Sequence, residues 1–311
     1  EISCSLVGSE MCIRDRYTMH HAISQDKQGN ILATVSKTSA KIANGKDVRI
    51  NDFIIMMDPE KGEILQEWDL VHMLDSARYG MTDYDLTSDP FAQSASNWAH
   101  NNGIVEWGDD YLATARYQGI FKFNKAGGIE WIISPHGYWR DKYLKLLLNP
   151  LHADGTPITD PEVIAGTKNC DDFEWPWGCH TAVPLPNGHI LYFNNGYGRN
   201  FKLDFTDRKN IYTCGIEYEV DEVNRTVRQV WQYGKERGAA YFTPARSGVQ
   251  YLEQTGNRLI CPGMSNVLSN GNRGARVTEV DPETQDVVFE LELEDAIYQR
   301  VYRMSLYPEN Q

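Results

Sequence analysis

The sequence predicts an all-β fold, a β-propeller built from four-stranded blades, on three observations. Short apolar or alternating runs, separated by Gly, Pro, Asn and Asp, fill most of the chain. They fall into groups of four at a fairly regular period. Each group reverses first at a short turn pair: Gly29-Asn30, Asp109-Asp110, Asn187-Gly188 or Gly256-Asn257. A stack of separate β-sandwich domains is the rival architecture, but the spacing is short for it.

Residues 1–16 stand outside the pattern. They lack strand alternation and the basic-then-apolar order of a secretory signal, and they resemble translated read-through of a sequencing adapter. The expectation is a non-native leader, Cys4 and Cys12 included, followed by one propeller domain over 17–311. In the first unit, strands are expected at 19–25, 31–36, 53–57 and 64–68. The last pair is joined by an Asp58-Pro59 turn that closes on Gly62. The second unit takes 101–107, 111–117, 119–123 and 129–133; the third takes 180–186, 190–193, 216–220 and 227–231. The fourth takes 248–252, 258–261, 276–280 and 287–291. Residues 300–306 read as the first strand of a fifth, giving about four complete blades and a partial one. The fourth strands carry Trp68, Trp131, Trp231 and Phe289, expected to fill the contacts between blades. Helix is expected only at 140–148, as one amphipathic turn or two. Two insertions, 71–98 and 136–175, are placed over the mouth of the propeller.

Lys+Arg 30 against Asp+Glu 43 gives a net charge of −13, which argues against nucleic acid or an anionic membrane as a general partner. No apolar run is long enough to span a bilayer. Beyond the leader the cysteines are Cys170, Cys179, Cys214 and Cys261, with no CxxC pair or Cys/His metal spacing. Neither a metal site nor a cofactor is expected. Cys170 and Cys179 bracket an aromatic loop ahead of His180, and a disulfide or two thiols both fit.

The third unit opens on a hairpin with His180 at the mouth of its first strand and Arg199 after the Gly-rich exit of its second. An imidazole and a guanidinium at one end of a hairpin suit an anion, because the arginine fork matches sulfate, phosphate or carboxylate oxygens. Taken alone, the segment reads equally as a packed loop with a surface arginine. Recurrence decides between them: His20 lies nine residues before Gly29, His100 nine before Asp109 and His180 eight before Gly188. Arg246 or Ser247 takes the place in the fourth unit. The first strand of each propeller blade lines the central channel, so these positions converge on the axis. Each histidine alone reads as a satisfied core or turn residue, whereas the set reads as one polar pocket at the axis, with His100, His180 and Arg199 pointing into it and His20 or His21 on its wall.

Further motifs extend the pattern: Asn97-Trp98-Ala99-His100-Asn101-Asn102, Ala115-Arg116-Tyr117-Gln118-Gly119, Pro135-His136-Gly137-Tyr138-Trp139, Asn194-Asn195-Gly196-Tyr197-Gly198-Arg199 and Trp231-Gln232-Tyr233-Gly234-Lys235. With His20-His21 and His180-Thr181-Ala182, they resemble the bacterial arylsulfate sulfotransferases over roughly 17–308. The resemblance implies a six-bladed propeller, usually behind an N-terminal β-sandwich domain, acting as a periplasmic or secreted homodimer. It implies ping-pong transfer of a sulfuryl group from a phenolic sulfate ester to a phenol, through a sulfated histidine and without a nucleotide donor. His100, His180 and Arg199 match the anion-binding, charge-stabilising positions and are the candidate catalytic residues. His20, His21, Asn266 and Arg303 are the candidate substrate-binding ones.

One departure stands out. The family's sulfated histidine lies beyond the second strand of the following blade, where this chain reads Cys261-Pro262-Gly263-Met264-Ser265-Asn266; no histidine follows His189. Asn266 is closest to that position, and an amide is no comparable nucleophile. Either His180 or His100 takes the role, or transfer is direct, or the protein binds sulfate esters without turning them over. Relative to the family the chain lacks the N-terminal domain and at least one blade, as a gene fragment does. A propeller hydrolase or lyase is disfavoured, since the channel-lining strands carry no cluster of metal-binding carboxylates.

Overall fold

Four antiparallel sheets of consecutive strands form the protein, seen in a computed structural model that describes residues 17–44, 47–78, 98–203, 206, 208–265 and 274–294. The first blade is β1 (Tyr17–Gln25), β2 (Ile31–Asn44), β3 (Asp47–Asp58) and β4 (Glu63–Asp69). The second is β5 (Asn101–Trp107), β6 (Asp110–Ala115), β7 (Gly119–Phe123) and β8 (Ile129–Ile133). After β9 (Asn149–Leu151), the third comprises β10 (His180–Pro184), β11 (Ile190–Asn194), β12 (Cys214–Asp221) and β13 (Thr226–Tyr233). The fourth is β14 (Gly248–Tyr251), β15 (Arg258–Cys261), β16 (Ala275–Val280) and β17 (Val287–Leu293). First strands of successive blades touch in the order β1, β5, β10, β14, the arrangement of a propeller around its channel.

Blades adhere through buried aromatics. Trp68 of β4 packs on Tyr111 and Phe123 of the next blade, with ring centroids 4.9 and 5.4 Å away, and its indole donates to the Lys125 carbonyl at 2.9 Å. Trp131 is buried and its indole donates to Glu222 at 2.7 Å. Trp231 is half-buried. Phe289 is a correction: half its surface is exposed, because it lies on β17, whose faces meet no further blade among the described residues.

Two more corrections concern the insertions. Helix at 140–148 forms as the single turn Asp141–Leu144, after which Leu147 bridges Ile132, but short helices also form outside that stretch, at Leu70–Met73 and Pro161–Ala165. The 136–175 insertion runs back along the outer edge of the third sheet, where β9 joins β13 in parallel. Pro150 is buried there, its carbonyl accepting from the Ile158 N–H at 3.2 Å. Cys170 and Cys179 are free thiols. The leader 1–16, Asn266, Arg303 with its strand at 300–306, and residues 79–97 lie outside the described residues.

Candidate active site

Three of the four inner strands start with the same backbone irregularity. The β1–β2 register shifts between Met19 and Ile23, β5–β6 between Asn101 and Gly103, and β10–β11 between His180 and Ala182. At these bulges His21, His100 and Thr181 adopt φ of 55°, 53° and 47°, left-handed values that cost a non-glycine residue about 1–3 kcal/mol. A bulge re-aims the side chains beside it. Here it turns the histidines toward one another. In the first blade Thr34 supports the bulge by accepting from the Ala22 N–H at 3.0 Å and donating to the His20 carbonyl.

The imidazoles form a connected chain. His20 Nδ1 lies 2.9 Å from His21 Nδ1, and His21 Nε2 lies 3.1 Å from His100 Nε2. The His21 and His180 ring centroids are 6.3 Å apart. Behind His20 stands Asp52, with Oδ1 3.7 Å from His20 Nε2 and Oδ2 accepting from the Asn101 N–H at 3.0 Å. A carboxylate there favours His20 protonated at Nε2. Nδ1 of His20 then accepts from His21, whose Nε2 accepts from His100, so that His100 Nδ1 carries a lone pair. His180 is oriented separately. The Asn195 amide nitrogen donates to the Thr243 carbonyl at 2.9 Å, so its oxygen accepts from His180 Nδ1–H at 2.6 Å and Nε2 carries the lone pair.

Burial governs the charge of these rings. It holds His100 well below the usual histidine pKa, and the neighbouring His21, Arg116 and His180 act in the same direction. His20 is lowered by burial against the pull of Asp52, and burial raises Asp52 against the pull of His20. His100 is therefore neutral at pH 7, the form in which an imidazole acts as nucleophile or base.

Arg199 is held by other partners. Its guanidinium makes an ion pair with buried Glu174, donates to the Asn210 and Tyr212 carbonyls at 3.2 and 3.3 Å, and stacks 3.8 Å over the Tyr212 ring. The other Glu174 oxygen accepts from the Tyr212 hydroxyl at 2.5 Å. None of these partners is a histidine. The cation beside the histidines is Arg116, buried, donating to the Pro244 carbonyl at 2.7 Å and lying 4.6 Å over the Tyr197 ring. Its backbone N–H donates to the His100 carbonyl at 3.0 Å. A cavity of about 30 Å³ lined by Arg78, Arg116, Tyr117, Gly178 and Tyr197 adjoins it. Tyr117 meets His100 edge-on at 5.9 Å and shares an apolar cluster with Tyr197 and Phe242.

The structure thus brings together His20, His21, His100 and His180, while the bonding partners of Arg199 are Glu174, Asn210 and Tyr212. Asp52, Arg116 and Asn195 are additions. Arg116 and Asn195 each follow the second strand of their blade, so the repeat counting that found the histidines could have found them. Asp52 lies within β3, just ahead of its apolar run, and carried no such signal.

The arylsulfotransferase family model matches residues 6–303. The chain is 28% identical to the arylsulfate sulfotransferase AssT of Escherichia coli and 29% identical to AssT of Lelliottia amnigena, each alignment spanning 316 residues. Each covers 92% of this chain and 52% of the relative, so the chain spans about half the length of these proteins. A solved structure titled "Structure of Dos1 propeller" aligns over 92% of this chain and 65% of its own with a TM-score of 0.38 and 8% identity, too remote to carry an argument.

Proposed function

The chain belongs to the arylsulfotransferase family, and we propose that it moves a sulfuryl group from a phenolic sulfate ester to a phenol at the histidine cluster. The observation that carries this reading is the convergence of four histidines from three blades. The unprotonated nitrogen of a neutral His100 or His180 attacks sulfur as the S–O bond to the aryl group breaks, and the leaving phenolate takes the proton that the newly sulfated ring sheds from its other nitrogen. The acceptor phenol then attacks sulfur, the N–S bond breaks and the phenol proton passes to an imidazole. Arg116, the cation whose charge acts on His100, stabilises the sulfuryl oxygens. Tyr117, Tyr197 and Phe242 supply an apolar wall for the aryl ring.

Arg199 keeps its proposed anion-binding role on its motif, with Glu174 as the partner that an arriving sulfuryl group displaces. Asn266 and Arg303 stay proposed substrate contacts. A periplasmic or secreted homodimer is the proposed setting. A second reading is favoured by one observation, the absence of any histidine after His189: a propeller that binds sulfate esters without turning them over. Incubation with an aryl sulfate, with and without added phenol, separates the two. Acceptor-dependent release of the donor's phenol, lost in His100→Ala and His180→Ala, supports transfer; binding without release supports the second reading.

A further inference from the structure

We propose that His152, Cys170 and Asp172 form a divalent transition-metal site, for which Zn²⁺ is the fitting ion. One nitrogen, one sulfur and one oxygen donor from these residues all lie within 4.8 Å of one another. His152 Nδ1 is 3.0 Å from Asp172 Oδ1, and Cys170 Sγ is 3.1 Å from the same oxygen. Zinc bonds of about 2.0–2.3 Å set tetrahedral ligands roughly 3.3–3.8 Å apart. The two measured separations therefore open by a few tenths of an ångström on coordination, and the imidazole and thiol, within 4.8 Å of each other, close onto the ion.

The donors are held in place from outside the cluster. His152 sits in a turn closed by its N–H donating to the Thr156 carbonyl at 2.8 Å. Arg228 of β13 donates to the Ala153 carbonyl at 3.0 Å, fixing that turn against the blade. The other Asp172 oxygen accepts from the Ala153 N–H at 2.9 Å, which aims the carboxylate back at His152. All three residues are half-buried, so an ion can reach them and a water can complete the tetrahedron.

An imidazole, a thiolate and a carboxylate form a borderline-soft set. It suits Zn²⁺, and Co²⁺ as its spectroscopic substitute, better than Mg²⁺ or Ca²⁺. Coordination displaces the Cys170 thiol proton to solvent and leaves the His152 proton on Nε2. The bound ion clips the turn after β9 to the segment that leads directly into Phe173 and Glu174, the partner of Arg199. The separation of His152 from Cys170, eighteen residues with one further ligand at 172, matches no familiar spacing. Only the fold brings them together.

The test uses the reduced, metal-stripped full chain titrated with Co²⁺ and then Zn²⁺. The native chain should bind one Co²⁺ with a thiolate-to-cobalt charge-transfer band and tetrahedral d–d bands, which Zn²⁺ erases. Cys170→Ser and His152→Ala should lose the band and bind Zn²⁺ at least about tenfold more weakly. Saturating Zn²⁺ should raise the Tm of the native chain by about 2 °C or more, and leave both variants unmoved. Should either variant fail to fold, Asp172→Asn is judged by the same two readouts. No charge-transfer band on the native chain, or a band that survives Cys170→Ser, overturns the proposal.

Discussion

His100 is where sequence, burial and chemistry meet most closely. Its folded pKa lies well below the unfolded value near 6.5, chiefly through burial. Between those two values the unfolded chain binds more protons than the folded one, so stability falls as the pH drops below about 6.5 and levels off beneath the folded pKa. His100→Gln should flatten that acid limb in denaturant titrations run from pH 7 to pH 5. A bound sulfate ester favours an imidazolium, so binding takes up a proton and the affinity for an aryl sulfate should increase as pH falls below about 6.5. Calorimetry in buffers of different ionisation enthalpy reads that uptake, and a pH-independent affinity contradicts it. Arg199 carries a different expectation. Arg199→Ala leaves Glu174 buried without its cation and should cost about 3–5 kcal/mol of stability by urea titration, whereas a loss below 1 kcal/mol contradicts a structural role for the pair. The residue itself was visible in the sequence as an anion partner. Glu174 was not, because a buried carboxylate contributed by a long insertion has no periodicity to betray it.

Among the elements, the strands were legible because alternation and turn chemistry are local. The expected runs 101–107, 119–123, 129–133 and 258–261 coincide with β5, β7, β8 and β15. The inner-strand bulges were hidden, since left-handed His21, His100 and Thr181 are not residues that announce a positive φ. Nor was β9 legible: a three-residue parallel strand depends on the insertion's path rather than on its own sequence. Two substitutions probe these elements. Trp68→Ala opens a cavity between the first two blades and should cost about 3–5 kcal/mol, read as a lower midpoint with an unchanged slope in urea. Thr34→Val removes the hydroxyl that satisfies the Ala22 N–H at the first bulge and should cost about 1–3 kcal/mol. It should also weaken aryl sulfate binding, because His20 and His21 flank that bulge. Unchanged binding in a folded Thr34→Val protein contradicts the link between bulge and cluster.

On the scale of the whole molecule, repetition makes the site. A propeller sends equivalent positions of successive blades to its axis, so counting from the turns located His20, His100 and His180 before any coordinate did. What counting could not supply was the order of contacts, from Asp52 through His20 and His21 to His100, since that depends on side-chain directions across two blades. The central claim is that this chain, with no histidine after His189, carries the sulfuryl group on a histidine of the axial cluster. Intact-protein mass spectrometry after brief exposure to an aryl sulfate, followed by peptide mapping, tests it directly. The predicted result is a single sulfuryl adduct on His100 or His180 that disappears when phenol is added. An unmodified chain that still binds the ester, with no acceptor-dependent phenol release, contradicts it.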